Sequence, residues 1–419
     1  MTHENHSWHL GSPPPEIRPH SIAKHRVLRQ YLEKYVRVLT SNKRIPEMRL
    51  TLIDGFAGGG IYRRSDNGEQ HRGSPFVLFE AMKNANTDIQ EGRIKPFQLE
   101  VEYFFVEKDR EAFEYLKHAV QNSEFAGEAT KNAHFLNETF ADCCSRIEER
   151  IETRARGGRA IFVLDQFGYS DVPLPLIRSI LRRLPNAEVL LTFATDSLID
   201  YLSNSEQTMK NLDRVGISLP TNELSAIKAQ QDWRRAIQFL LHQEIKDKTE
   251  AKFYTPFFIR SQDAHRDFWL IHLSGHARAR DVMVQLHWKE NRSFAHYGKA
   301  GLNMLGYDEN LDAEVTGQRM LPGFFFDETA RAASQSLLLE QLPRLICDLP
   351  DRMPYSDLFS RITNETPASS EIIKSVIADL RAEGVLEIRD KTGTIQRESR
   401  IQSSTDLIIR SPQKLLFHG

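Results

Sequence analysis

Apolar and polar residues follow two rhythms along this chain. Between residues 49 and 196, runs of consecutive apolar residues alternate with stretches whose apolar positions recur every three or four residues. The runs are "RLTLIDG" (49–55), "VEYFFVEKD" (101–109), "AHFLNETF" (133–140), "RAIFVLDQFGYSDVP" (159–173) and "AEVLLTFATD" (187–196). Consecutive apolar residues predict strands buried on both faces, and the amphipathic stretches between them, such as "SPFVLFEAMKNA" and "REAFEYLKHAV", predict helices. Strand and helix in alternation give an α/β fold with a doubly wound, Rossmann-like parallel sheet. A further helix is predicted over 21–44, where Leu28, Leu32, Tyr35 and Leu39 share one face and Ser21 is placed to cap it. Ser74 and Pro75 are expected to open the helix after the first strand.

Beyond residue 196 the rhythm changes. Residues 197–250 read as a polar helical insertion, followed by two strands expected to pair antiparallel, "KFYTPFFIRSQ" and "DFWLIHLSGH", and a basic helix, "ARARDVMVQLHWKENR". Three helical patterns then precede "GVLEIRDKTGTIQRE", read as two strands around a Thr-Gly turn, which together outline a winged helix. The expected organisation is a flexible arm over 1–20, a Rossmann-like domain over 21–300, a linker over 301–329, a winged-helix-like domain over 330–400 and a strand or tail over 401–419 that packs back on the core.

Composition narrows the class rather than the function. Hydrophobic residues are 40% and charged residues 27%, with a net charge of −2, so charge decides nothing about nucleic acid except locally. The three cysteines, Cys143, Cys144 and Cys347, form no disulfide framework and lack metal-ligand spacing; a reducing cytoplasm and no metal site are expected. No run of about 18 apolar residues predicts a membrane span. One face of the first helix carries Lys24, His25, Arg26, Arg29, Lys34 and Arg37, which is either a solvated face or a phosphate-binding one.

Candidate chemistry gathers at the strand ends, where doubly wound sheets bind ligands. The first strand ends at Asp54 and runs into Gly55, Phe56, Gly58, Gly59 and Gly60; later strands end at Glu107, Asn137 and Asp165. A nucleoside triphosphate calls for Gly-Lys-Ser/Thr after the glycines, which is absent. A dinucleotide calls for G-x-G-x-x-G, but Arg63 stands at the third glycine. S-adenosylmethionine remains: Asp54 meets its ammonium, the loop amides its carboxylate, Glu107 its ribose hydroxyls, and Asn137 or its neighbours the adenine edge.

The order of these features resembles class I methyltransferases. The segments "AKHRVLRQYLEKY", "LIDGFAGGGIY", "RGSPFVLFEA", "FFVEKD" and "FVLDQFGYSDVP" resemble, more narrowly, the three-Cys-motif partner (TcmP) family of bacteria and their phages. The resemblance implies a Rossmann-like methyltransferase fold, a C-terminal winged helix and a gene neighbour carrying a three-cysteine motif. "DQFG" resembles the acid-Pro-aromatic signature of amino-methyltransferases acting on bases. By that likeness Asp165 orients or deprotonates the acceptor, and Phe167 or Tyr169 stacks on it. Gln166 replaces the proline, which removes its fixed backbone angle.

Two functions follow as expectations. One is methyl transfer to nucleic acid, with Asp54, Gly55, Phe56, Gly58, Gly60, Glu107 and Asn137 on the cofactor, Asp165 and Phe167 at the chemistry, and Lys24, His25, Arg63, Arg64, Arg72 and Tyr169 on the substrate. The polar loop "YRRSDNGEQHRG" is then a mobile lid. The other is a non-catalytic adaptor for DNA or a three-Cys-motif protein. The third helix of the winged-helix region offers only Lys374 and Arg381 beside Glu371, Asp379 and Glu383, which is little for a DNA-reading helix.

Overall fold

The computed structural model describes residues 7–91, 93–154, 158–166, 171–193, 206–218, 233–260, 267–290, 294–296, 300–304, 324–398 and 400–410. Two compact units divide the chain, residues 1–282 and 283–419.

The first unit runs β1 (Glu16–Ile17), α1 (Pro19–Leu39), β2 (Glu47–Asp54), β3 (Ile61–Arg64), β4 (Gln70–Arg72), α2 (Ser74–Gln90), β5 (Gln98–Val106), α3 (Arg110–Gln121), α4 (Ala126–Asn132), β6 (Ala133–Leu136), α5 (Phe140–Arg154), β7 (Ala160–Leu164), α6 (Leu174–Arg183), β8 (Ala187–Phe193), α7 (Glu206–Val215), α8 (Trp233–Thr249), β9 (Phe253–Arg260), β10 (Asp267–Ser274) and α9 (Ala277–Glu290), which crosses into the second unit. Within this unit the large sheet has the order β6-β5-β2-β7-β8-β10-β9. Strands β2, β5, β6, β7 and β8 are mutually parallel, and β10 runs antiparallel to both β8 and β9. Apart from the small β1–β3–β4 sheet, chain order across the sheet reads third, second, first, fourth, fifth, seventh, sixth. This is the class I methyltransferase arrangement, and its direction of winding switches between β2 and β7.

Burial explains why the apolar runs became strands. Every residue of β7 and β8 is buried, as are the last five of β2. On one face, Phe79 packs on Tyr103 and Phe125 with ring centroids 4.5 and 5.1 Å apart. Such aromatic packing contributes about 0.5–1.5 kcal/mol per pair beyond area burial.

Several local expectations change. Helix α1 starts at Pro19 rather than after Ser21, with Arg18 as N-cap and no side-chain cap; proline tolerates the first turn because its missing N–H has no intrahelical partner there. Gly73, not Ser74, is the N-cap of α2. The loop from Tyr62 to Gly73 is a hairpin: β3 pairs antiparallel with β4 and parallel with β1. Residues 8–20 do not form a free arm, since Trp8 and Ile17 are buried and β1 is paired. The helical insertion is borne out in α7 and α8; the rest of 197–250 lies mostly outside the described residues.

The second unit contains β11 (Phe294–His296), β12 (Phe324–Phe325), α10 (Glu328–Asp348), β13 (Met353–Pro354), α11 (Tyr355–Ile362), α12 (Ser370–Ala382), β14 (Leu386–Arg389) and β15 (Leu407–Arg410). Three helices and the sheet β13-β15-β14 make a winged helix. Asp327 and Ser369 cap α10 and α12 by accepting from the amides of Ala330 and Ile372. The partner of β14 is β15, not the segment after the Thr-Gly turn, where only Arg389 and Ile395 bridge. So the last strand completes the wing instead of returning to the core.

Candidate functional site

Asp54 ends β2 at the switch point and is fully buried. Its Oδ1 accepts from the Phe56 amide at 3.2 Å, while Oδ2 is buried with no hydrogen-bond partner. Burial pushes its carboxyl up to about 7; the Ser74 hydroxyl and the Phe56 amide pull it down, and the charges of Asp165 and Glu107 push it further up. Burial thus holds this acid much less ionised at neutral pH than a solvated carboxylate.

Glu107 follows β5 and reaches the same turn. Its two carboxylate oxygens accept from the amides of Gly58 at 2.8 Å and Asp109 at 2.7 Å. Asn137 does not face a ligand edge alone: its amide donates to the carbonyls of Glu107 and Lys108, fastening the end of β6 to that of β5. Gly55 is enclosed, and a Cβ there would meet Leu164 at 2.7 Å and Phe140 at 3.1 Å. Phe56, half-buried, lies beside Phe140.

The turn needs its glycines for two reasons. Gly58 and Gly60 adopt φ of 56° and 76°, which side chains resist. All three glycines, Gly58, Gly59 and Gly60, also leave room for neighbours. A Cβ on Gly59 would lie 2.3 Å from the Trp8 ring and one on Gly58 3.0 Å from it, while one on Gly60 would meet Leu116 at 2.7 Å. Trp8 donates its indole N–H to the Ile61 carbonyl at 2.7 Å and packs edge-on to Tyr62 at 5.3 Å.

Asp165 follows β7, the neighbour of β2, and has a partner in Lys24 of α1. The ammonium lies 2.5 and 2.6 Å from its two oxygens, with side chains 12% and 29% exposed. Burial works to raise this carboxyl, but the Lys24 charge and hydrogen bond, with the Thr192 hydroxyl, outweigh it and hold it below the usual carboxylate range. Lys24, His25, Ser74, Asp165 and Thr192, over Val163, Leu190 and Leu270, line a cavity of about 30 Å³, room for about one or two waters. His25 is buried against His71, 3.2 Å away, and burial beside Lys24 pushes it down to about 3. Gln166 accepts from the amides of Asp171 and Val172, both at 3.0 Å, so it ties the end of β7 to the residues just before α6. Phe167 and Tyr169 lie outside the described residues.

The substrate cations expected from the sequence are met by acids of this chain. Arg63 pairs with Glu16 at 2.7 Å, Arg64 with Asp66 at 2.5 Å, and Arg72 with both Glu80 and Glu124. On α1, Arg29 pairs with Glu80 and Arg37 with Asp88. In the winged helix, Arg381 binds the carbonyls of Gln396 and Glu398, and Lys374 sits over the Tyr355 ring. Trp8 and the role of Gln166 were not foreseen; the indole has no sequence neighbour to betray it, whereas the Gln-for-Pro exchange was a signal.

Fold and site define a Rossmann-like methyltransferase fold joined to a winged helix. A family model for a GMT-like wHTH domain matches residues 306–393, beginning inside the expected linker. No curated protein matches the sequence. Among solved structures, the chain is similar to protein LPL1258 of Legionella pneumophila at 10% identity, covering 62% of this chain and 90% of that one, with a TM-score of 0.33. It is also similar to the N-terminal domain of human METTL16, crystallised with SAH, at 10% identity, 59% and 68% coverage and a TM-score of 0.26. For the plantazolicin methyltransferase BamL, also with SAH, the values are 12%, 61%, 88% and 0.25. Likeness at this level decides nothing about the site, which rests on the chain's own geometry.

That geometry offers acceptors that suit S-adenosylmethionine: a buried carboxylate oxygen without a hydrogen-bond partner for an ammonium, and Glu107 with lone pairs to spare. The surface left open by Gly58 and Gly59 is covered by Trp8.

Among the described residues no helix is long and apolar enough to cross a membrane. Cys143 and Cys144 are buried and, with Cys347, unbridged.

Proposed function

We propose that the chain binds S-adenosylmethionine at the ends of β2 and β5 and transfers a methyl group to a nucleic-acid acceptor held at the end of β7. The observation that carries this is Asp54, a buried carboxylate with an unpartnered Oδ2 beside a glycine turn at the switch point. An ammonium supplies both the missing donor and the missing charge. The bound cofactor supplies an electrophilic methyl group on sulfur. Asp54 holds the amino-acid end, and Glu107 accepts from ribose hydroxyls while its Gly58 and Asp109 bonds fix its orientation. Of the two roles considered for Asp165, orientation is favoured: a carboxylate held below its usual range is a weak base at neutral pH. It accepts a hydrogen from an acceptor amine once Lys24 yields one of its two contacts, and Phe167 or Tyr169 is the candidate for stacking on the base.

A second reading, an adaptor for DNA or a three-Cys-motif protein, is favoured by one set of contacts: Asp165 is already occupied, and Arg63, Arg64 and Arg72 are already neutralised. Calorimetry with S-adenosylhomocysteine tests the shared part. Asp54→Asn should weaken binding about tenfold or more, as expected for loss of a charged hydrogen bond; an unchanged affinity removes Asp54 from the site. Methyl transfer from labelled cofactor to total bacterial nucleic acid, wild type against Asp165→Asn, separates the two readings. Cofactor binding without label in any nucleic acid leaves the adaptor.

A further inference from the structure

The glycine turn already has an occupant. Trp8 is 5% exposed although only about ten residues of arm separate it from α1. Its ring lies where Cβ atoms of Gly58 and Gly59 would be, at 3.0 and 2.3 Å. Its N–H is satisfied by the Ile61 carbonyl at 2.7 Å, on the strand that leaves the turn. After Trp8 the arm is tied by contacts of exposed side chains and backbone. His9 meets Glu111 at 2.8 Å with both side chains more than half exposed. Further on, Pro15 accepts from the Arg63 amide at 2.9 Å, and Glu16 pairs with Arg63 at 2.7 Å. Between these ties lie Gly11, with a φ of 88°, and two prolines, Pro13 and Pro14. The segment is thus a short strap held by two buried residues, Trp8 and Ile17, with exposed fastenings between them.

We infer that Ser7–Ile17 is an autoinhibitory strap whose Trp8 indole and the adenosyl cofactor compete for the surface of the Gly58–Gly59 turn. This inference rests on the cofactor reading above. A ligand backing onto that turn exploits the same missing side chains that admit the indole, so the two exclude each other. Binding then requires the strap to open, and the apparent affinity is reduced by the fraction of molecules that are open. An open fraction of about 0.1–10% lowers affinity by about tenfold to a thousandfold.

The test compares the full-length wild type with Trp8→Ala and Trp8→Phe, using S-adenosylhomocysteine as the probe. Calorimetry should show Trp8→Ala binding at least about tenfold more tightly than wild type, with Trp8→Phe between them because it keeps a ring but loses the bond to Ile61. The Trp8 indole N–H resonance, identified by its absence from Trp8→Phe, should leave its hydrogen-bonded position as ligand is added. Where Trp8→Ala fails to fold, as circular dichroism reports, Trp8→Phe carries the comparison. Equal or weaker binding by the variants, with the indole resonance unmoved at saturation, overturns the strap and leaves Trp8 a fixed part of the fold. A silent wild type with a binding Trp8→Ala supports both inferences. No binding by any of the three at millimolar ligand overturns the cofactor reading itself, and with it any competition.

Discussion

Two acids end adjacent parallel strands at the switch point, and the chain treats them in opposite ways. Asp54 closes β2 and Asp165 follows β7, strands that pair directly with Asp54 beside Val163. Asp165 carries its own cation, Lys24, on both oxygens, and its carboxyl falls below the usual range. Asp54 has one backbone amide, the nearby Ser74 hydroxyl, an Oδ2 with no hydrogen-bond partner and a carboxyl pushed up to about 7. The same fold position therefore yields one self-satisfied charge and one that lacks a counter-ion. The unsatisfied acid marks where an external cation fits, and the satisfied one marks where an acceptor must first displace something.

The largest effect should come from breaking the satisfied pair. Lys24→Ala leaves Asp165 charged and partly desolvated. Removing one member of a buried pair costs about 3–5 kcal/mol; with the Asp165 side chain 29% exposed, about 2–3 kcal/mol is expected. Urea denaturation of Lys24→Ala, Asp165→Ala and the double variant gives the coupling. A coupling under about 0.5 kcal/mol would mean that the pair does not hold α1 to β7, and the contrast between the two acids would lose one side.

Asp54→Asn should move stability the other way. Burial raises its carboxyl from 3.8 to about 7, so across that window the folded chain holds a proton that the unfolded chain has released. The contribution is full below about pH 4 and is lost as pH rises through about 7. Its ceiling is about 4 kcal/mol, from about 1.4 kcal/mol for each unit of difference. Asparagine keeps the shape without the charge, so Asp54→Asn should be more stable than wild type by about 1–3 kcal/mol at pH 8 and nearly equal to it near pH 4. Asp165, with its lowered carboxyl, contributes stability above its unfolded pKa that is lost as pH falls through the folded one. Equal wild-type and Asp54→Asn stabilities at pH 8 would contradict the raised carboxyl.

How much of this was legible follows from where each contact lies in the chain. The sheet was legible because β2, β5, β7 and β8 are runs of apolar residues bounded by polar ends. The acids at strand ends were legible for the same reason. What they touch was not. Lys24 and Asp165 are 141 residues apart, and Trp8 donates across 53 residues to Ile61. Nothing in the periodicity around Trp8 distinguishes a buried indole from an exposed one, and the prolines after it favour an extended arm in either case. The contacts of the basic loop were not legible because two of its arginines pair far along the chain: Glu16 and Glu124 lie 47 and 52 residues from Arg63 and Arg72. The wing's returning strand was misjudged because a Thr-Gly turn is a strong local hairpin signal, while β15 pairs from 18 positions beyond Arg389.

Titration of Asp54 should also be visible in ligand binding, with a smaller effect. An ammonium is held by the ionised form, so affinity for S-adenosylhomocysteine should rise with pH. With the carboxyl near 7, the ionised fraction grows about tenfold between pH 6 and pH 8. Affinity should follow it by up to about tenfold in wild type and stay flat in Asp54→Asn. A wild-type affinity that does not change over this range would place the ammonium elsewhere and remove the functional half of the comparison between the acids.

The smallest effect is expected at the cations already paired with acids. A side chain that contacts a nucleic-acid phosphate releases counter-ions, and each such contact adds about 0.9 to the slope of log affinity against log salt on duplex DNA. Arg64 and Arg72 instead spend their donors on Asp66 and on Glu80 and Glu124. Exposed pairs of this kind are weak, so a phosphate could compete for the arginine, but the neighbouring carboxylate would then face the phosphate and repel it. Arg64→Ala and Arg72→Ala should therefore change affinity for a DNA duplex by less than about threefold and leave the salt slope within about 0.3 of wild type. Filter binding across a salt series measures both quantities. If either variant lowers the slope by about one, that arginine leaves its acid for phosphate, and the hairpin regains the substrate role that its basic sequence suggested. If the slope is unchanged while duplex binding persists, the nucleic-acid contacts lie on other residues, and the exposed wing cations Lys391, Arg397 and Arg400 are the next to replace.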